Sequence, residues 1–207
     1  MTIKKDSGWD ITAYDILDSE FYEGDTVRLA RSLLGALMVH FSPAGLTSGY
    51  IVETEAYLCK DDPACHAARG KTKRNAAMFG PPGTAYVYFI YGNHYCFNIV
   101  SNREGVGEAV LIRALEPVHG LNLMWQRRGH KHKQTNLTNG PGKLCAAMAV
   151  NKNHNGLFLS GPPLFIARGK KISENSIGTS GRIGIRVAQN KPLRFFIKDN
   201  PFLSRLG

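Results

Sequence analysis

No two of the four cysteines in this 207-residue sequence stand as Cys-x-x-Cys. Cys59, Cys65, Cys96 and Cys145 are scattered, which speaks against both a zinc knuckle and a secreted disulfide framework. The one grouping with metal-capable atoms, Cys59, Cys65 and His66, offers three ligands at an unusual spacing, so no metal and no cofactor are expected. Long apolar runs are also missing. Nothing approaches the roughly 20 residues of a membrane helix, and the start, Met1 to Ser7, has no apolar signal segment. The expectation is a soluble intracellular protein without a membrane partner. Neither an internal repeat nor a low-complexity run occurs. The glycines around Gly140-Pro-Gly-Lys143 lack the spacing of a Walker loop, which excludes nucleoside triphosphate binding by that route.

Acidic residues are scarce in one part only. Residues 1–65 hold 5 Lys+Arg against 11 Asp+Glu, a net of −6, whereas the rest hold 21 against 5, a net of +16. A basic field of that size either gathers polyanions such as nucleic acid or merely keeps the surface solvated; charge alone fits both. With 43% hydrophobic and 20% charged residues, the length supports one compact domain over 1–207, with residues 1–11 as a loosely ordered N-terminal arm.

The pattern of caps and apolar periods predicts a mixed architecture. A helix runs from Asp25, a good N-cap, to Gly35, a left-handed exit, and two strands follow at 36–41 and 49–58 around Pro43-Ala-Gly45. Residues 60–83 are polar, basic and rich in Gly and Pro, which reads as a long functional loop carrying a short helix. Strands at 85–90 and 95–100 flank a hairpin tip, and another covers 108–115. Helices start near Pro117 and Pro141, and short strands at 163–167, 183–187 and 192–198 close the chain. From Arg127 to Lys143, cations and glycines precede a helix N-terminus, a composition suited to phosphate.

Two segments carry the candidate chemistry. In Ile51-Val-Glu-Thr-Glu-Ala-Tyr57, period-two alternation puts Glu53, Glu55 and Tyr57 on one strand face and Val52, Thr54 and Ala56 on the other. Such a face is either exposed and solvated or a site. Thr84 to Asn98 packs four tyrosines and two phenylalanines into fifteen residues, a density that suits a core strand and equally suits base stacking. Asn98 either reads a purine edge or completes the strand's own hydrogen bonding.

Six stretches, in order and in register, resemble the alkyladenine (3-methyladenine) DNA glycosylase family. They are Ile-Val-Glu-Thr-Glu-Ala-Tyr at 51–57, with His66 and Met78-Phe79 after it, Tyr-Val-Tyr-Phe-Ile-Tyr-Gly at 86–92, Leu-Ile-Arg-Ala-Leu-Glu-Pro at 111–117, Gly-Pro-Gly-Lys-Leu-Cys at 140–145 and Lys-Pro-Leu-Arg-Phe at 191–195. The resemblance implies an α+β fold: a curved, mainly antiparallel sheet with flanking helices and a protruding hairpin, like the C-terminal domain of methionyl-tRNA formyltransferase. It implies a monomeric enzyme acting on double-stranded DNA that contains a damaged purine, cytoplasmic and nucleoid-associated in a bacterium or nuclear in a eukaryote.

The same resemblance implies roles. Glu55 matches the general base that activates water, Arg113 the arginine that helps hold this water, and the backbone carbonyl of Ile183 its third contact. Tyr57, His66 and Tyr88 match the residues that sandwich and read the extruded base, and Asn98 the side chain that disfavours the 2-amino group of guanine. Tyr91 matches the wedge that fills the gap in the duplex. Lys143, with Arg128 and Thr72, matches phosphate contacts. No lysine matches a Schiff-base nucleophile, so hydrolysis to an abasic site is implied. Departures from the family pattern are a more polar hairpin tip at Asn93-His94, a loop at 102–108 about two residues longer, and the cysteines Cys59 and Cys65. Two other readings start from the same residues: a non-catalytic nucleic-acid-binding domain of related fold, and a Cys/His metalloenzyme.

Overall fold

A computed structural model describes residues 10–90 and 92–205. Among these, nine strands form one antiparallel sheet: β1 (Leu37–Ser42), β2 (Gly45–Tyr57), β3 (Ala85–Ile90), β4 (His94–Val100), β5 (Ala109–His119), β6 (Ser160–Gly161), β7 (Leu164–Ala167), β8 (Ile177–Ser180) and β9 (Arg194–Ile197). The main path is β3-β4-β5-β2-β1-β7-β6. Strand β2 organises it. One edge pairs with β5, while the other is shared, β1 taking residues 45–50 and β9 taking 53–55. Four short helices flank the sheet: α1 (Ser19–Tyr22), α2 (Thr26–Ser32), α3 (Leu121–Arg128) and α4 (Pro141–Met148). The result is the single compact α+β domain that the resemblance implies.

Local chemistry accounts for several boundaries. Asp25 accepts from the Arg28 amide (2.6 Å) to cap α2, and Gly35 turns the chain back at φ +84° where a Cβ would lie 2.2 Å from the Lys170 carbonyl oxygen. Pro141 occupies the first turn of α4, where its missing amide costs nothing. The loop over 60–83 contains two short 3-10 turns, His66–Arg69 and Ala76–Phe79. Of the expected N-terminal arm over 1–11, Ile11 packs against the cluster of Leu37, Val39, Phe41 and Phe165, and residues 1–9 fall outside the described residues.

Three expectations fail for identifiable reasons. Pro117 starts no helix; β5 runs through it, opposite Gly49 at a register shift where no proline amide is needed, and α3 begins only after Gly120 at φ +75°. The segment 183–187 is a series of bends, not a strand, because the Ile183 amide is spent on a carboxylate; the strand is β8, which pairs with β9. Val52 does not share a face with Thr54 and Ala56. Its register is broken on both sides of Glu53, and it packs with Ala114, Phe196 and Leu203, whereas Ile51 and Ala56 belong to the main core.

The core sets the sidedness of the molecule. Leu29 of α2 and its C-cap Leu33, Met124 of α3 and Leu144 and Met148 of α4 cover one sheet face through Met38, Ile51, Phe97, Ile99, Val110 and Ile112. Thr54 points the same way, its hydroxyl donating to the Ala30 carbonyl (2.8 Å). Glu53, Glu55 and Tyr57 therefore face away from α2.

Candidate active site

Register assembles the site. Tyr86 lies opposite Asn98, Asn98 opposite Leu111, Leu111 opposite Glu55, and Glu55 opposite Arg194, a row across β3, β4, β5, β2 and β9. One step along, Tyr88 faces Cys96, and Tyr57 follows on β2. Two compensating irregularities break the β2–β5 ladder: Val52 is extra on one strand and Arg113 on the other. Bulges re-aim side chains, and here the result is an arginine directed at two glutamates.

Glu55 is fully buried. Its Oε1 accepts from the Ile183 amide (2.7 Å), and its Oε2 accepts from the Tyr57 hydroxyl (2.9 Å) and lies 3.3 Å from an Arg113 Nη. Burial pushes the Glu55 carboxyl above its ordinary range, and the Arg113 charge and the Ile183 and Tyr57 donors oppose that without cancelling it. Tyr57, Arg113 and Ile183 line an open groove of about 320 Å³, together with Tyr88, His94 and Pro141. That volume lies at the lower end of ordinary small-molecule pockets. Ile183 lines the groove, and the contact that the structure gives it is through its N–H, to Glu55.

A second, narrower space adjoins the groove. Tyr57, His66, Met78, Tyr86, Tyr88 and Asn98 line a slot with a volume of only about 20 Å³, room for about one water. His66 meets Tyr88 edge to face at 4.6 Å between ring centroids, and its Nδ1 is 2.9 Å from the Tyr86 hydroxyl. Burial, with the Arg74 charge adding to it, lowers the His66 pKa, so the ring is neutral at physiological pH. Burial likewise raises Tyr57 and Tyr88, which keep their hydroxyl protons. The Asn98 amide nitrogen donates to the Tyr86 carbonyl (2.9 Å), so it does complete the strand's bonding, and its oxygen is the end left for the slot.

A comparison with known families decides the assignment. The model of the methylpurine-DNA glycosylase (MPG) family matches residues 20–201. The chain belongs to that family. Proteins named "Putative 3-methyladenine DNA glycosylase" align along nearly its whole length. That of Carboxydothermus hydrogenoformans is 47% identical over 191 residues (92% of this chain, 99% of the relative). That of Methanoculleus marisnigri is 49% identical over 192 residues (91% and 98%), and that of Chlorobaculum parvum 47% identical over 194 (92% and 92%).

Arg128 and Lys143 are brought together: burial lowers both cations, and the Arg128 charge lowers Lys143 further. Lys143 donates to Asn139 Oδ1 (2.8 Å), and neither cation has an acidic partner among the described residues. Thr72 is not with them. Its hydroxyl donates to Asn75 Oδ1 (3.0 Å), and it lines a separate shallow groove with Arg69, Arg74 and Tyr86. Tyr91 lies outside the described residues.

Several site residues of this glycosylase were not singled out from the sequence. Asp62 and Arg182, both fully buried as side chains, form a bidentate pair at 2.6 and 2.5 Å, and the Arg182 guanidinium stacks 4.5 Å over the Tyr57 ring. That pair fixes one end of the loop carrying His66. Asn75 fixes the other, its Nδ2 donating to the carbonyls of His66 (2.9 Å) and Gly70 (3.0 Å). Glu53, Arg194 and Ser204 form a cluster behind Arg113. Of that cluster, Glu53 stands in the sequence on the face shared with Glu55 and Tyr57 and Arg194 in Lys-Pro-Leu-Arg-Phe at 191–195, whereas Ser204 carries no signal. No group of three or more His, Cys, Asp or Glu among the described residues could hold a metal, and all four cysteines are free. Among the same residues no helix is long and apolar enough to cross a membrane.

Proposed function

We propose that this chain is a monofunctional DNA-3-methyladenine glycosylase. It flips alkylated or deaminated purines such as 3-methyladenine, 7-methylguanine, hypoxanthine and ethenoadenine out of duplex DNA and hydrolyses the N-glycosidic bond, working as a monomer. The observation that carries the reading is the Glu55 carboxylate, buried directly behind the groove and bonded by Arg113, Tyr57 and Ile183, which line it.

In this reading Glu55 takes a proton from water as the water oxygen bonds to C1′ and the glycosidic electron pair leaves with the base. Burial strengthens Glu55 as a proton acceptor, and a positioned base contributes about 10² to 10⁴ in rate. Arg113 and the Ile183 backbone hold the water. A cationic 3-methyladenine departs neutral, whereas hypoxanthine must also gain a proton. Tyr57, His66 and Tyr88 stack on and read the extruded base, while Tyr91 fills its place. Unstacking costs a few kcal/mol, which favours weakly paired lesions. Asn98 closes the slot to a 2-amino group. Lys143, Arg128 and Thr72 hold phosphates, and no residue forms a Schiff base, so the product is an abasic site with both strands intact.

The test is a panel of duplexes carrying hypoxanthine, ethenoadenine or 3-methyladenine. Release of at least one free base without strand cleavage is the expected outcome. Folded protein that releases none, or that binds nucleic acid without turnover, removes the assignment.

A further inference from the structure

Glu53 sits two residues from Glu55, is just as buried, and has both oxygens bonded within the protein. Oε1 accepts from Arg113 Nε (3.1 Å), Arg194 Nε (2.8 Å) and the Ser204 hydroxyl (2.7 Å), and Oε2 accepts from the Ser204 amide (2.6 Å). Two of those donors come from the C-terminal segment. Leu203 anchors that segment among Val52, Ala114 and Phe196, and an Arg194 Nη donates to the Arg205 carbonyl (2.6 Å).

Arg113 therefore meets the two glutamates differently, by Nε to Glu53 and by one Nη to Glu55. A guanidinium left free beside a carboxylate pairs with it by two parallel bonds. Such a fork on Glu55 would occupy the oxygens that must take up the proton.

We propose that Glu53 is a positioning residue for the catalytic base. With Ser204 and Arg194 it holds Arg113 by Nε, restricts its contact with Glu55 to a single Nη, and makes the C-terminal segment part of the catalytic machinery. The proposal rests on Glu55 acting as the general base.

The test compares Glu53→Gln, Ser204→Ala and Ser204→Thr with wild type. It records single-turnover release of 3-methyladenine from methylated duplex DNA against pH, duplex affinity, and exchange of the Arg113 Nε–H proton by NMR. In Glu53→Gln and Ser204→Ala the plateau rate falls about tenfold and the acid limb moves to lower pH by about one unit, a tenfold change in proton affinity, because Arg113 leans onto Glu55. Affinity stays at the wild-type value, the Nε–H exchanges faster, and Ser204→Thr, which keeps the hydroxyl, behaves as wild type. Should Glu53→Gln not fold, Ser204→Ala, which loses one hydroxyl on a half-buried tail residue, carries the comparison. A wild-type plateau and acid limb with unchanged exchange overturn the proposal. A wild type that releases no base overturns the glycosylase reading instead, and the Arg113 exchange still decides whether the clamp exists.

Discussion

Glu53 and Glu55 share a strand, a face and complete burial, and their partners give them opposite work. Glu53 is saturated by four donors, whereas Glu55 is bonded by three groups that themselves line the groove. A base must be unprotonated to act, and Glu55 sits above its ordinary range, so excision should fall as pH drops through a pKa higher than the roughly 4.3 of a free glutamate. A pH profile of single-turnover excision checks this, and an acid limb below pH 4 contradicts it. Both glutamates stand out in the sequence as a shared face. Their division of labour does not, because it depends on Ser204 and Arg194, some 150 and 140 residues away along the chain.

At the scale of elements, the strands with regular alternation were legible. The β3–β4 hairpin, β1, α2 with its Asp25 cap and α4 with its Pro141 start all follow from local pattern. The features that aim the site were not. The paired irregularities at Val52 and Arg113 look like ordinary strand residues, and their effect exists only once β2 and β5 are in register. The alternating apolar residues at 183–187 suggest a strand, yet the Ile183 amide bonds a carboxylate 128 positions earlier. Another non-local device joins β1 to the turn after α4. His40 Nδ1–H donates to the Met148 carbonyl (2.6 Å), which makes its Nε2 the acceptor for the His154 Nε2–H (3.0 Å), both rings being neutral. Burial lowers the His40 pKa to about 4 and lowers His154 as well. The unfolded chain takes up these protons near pH 6.5, so the stability that the pair contributes is present above that pH and is lost as pH falls towards 4. Thermal melts should show a Tm that drops between pH 6.5 and 4, with a smaller drop in His40→Leu. An equal drop in the two proteins would remove the pair from the account.

For the whole molecule, the uneven charge was the earliest clue, and by itself it could not separate a DNA partner from a solvated surface. The fold sets Arg128 and Lys143 together without acidic partners among the described residues, Lys143 directly following the groove-lining Pro141 and Gly142, and the proposed function puts both on phosphates. Contacts of this kind release counterions, so duplex affinity should fall steeply with salt, and Lys143→Ala should reduce the slope of log K against log salt by about one. Titrations from low to physiological salt measure it; a slope unchanged by the substitution means that Lys143 meets no phosphate. The central claim, that Glu55 activates water to release a damaged purine, is tested most directly by single-turnover excision of 3-methyladenine by wild type and Glu55→Gln at equal DNA occupancy. The account predicts abasic DNA from wild type and a rate about 10² to 10⁴ lower in the variant, with duplex affinity retained. A Glu55→Gln protein as fast as wild type would contradict it.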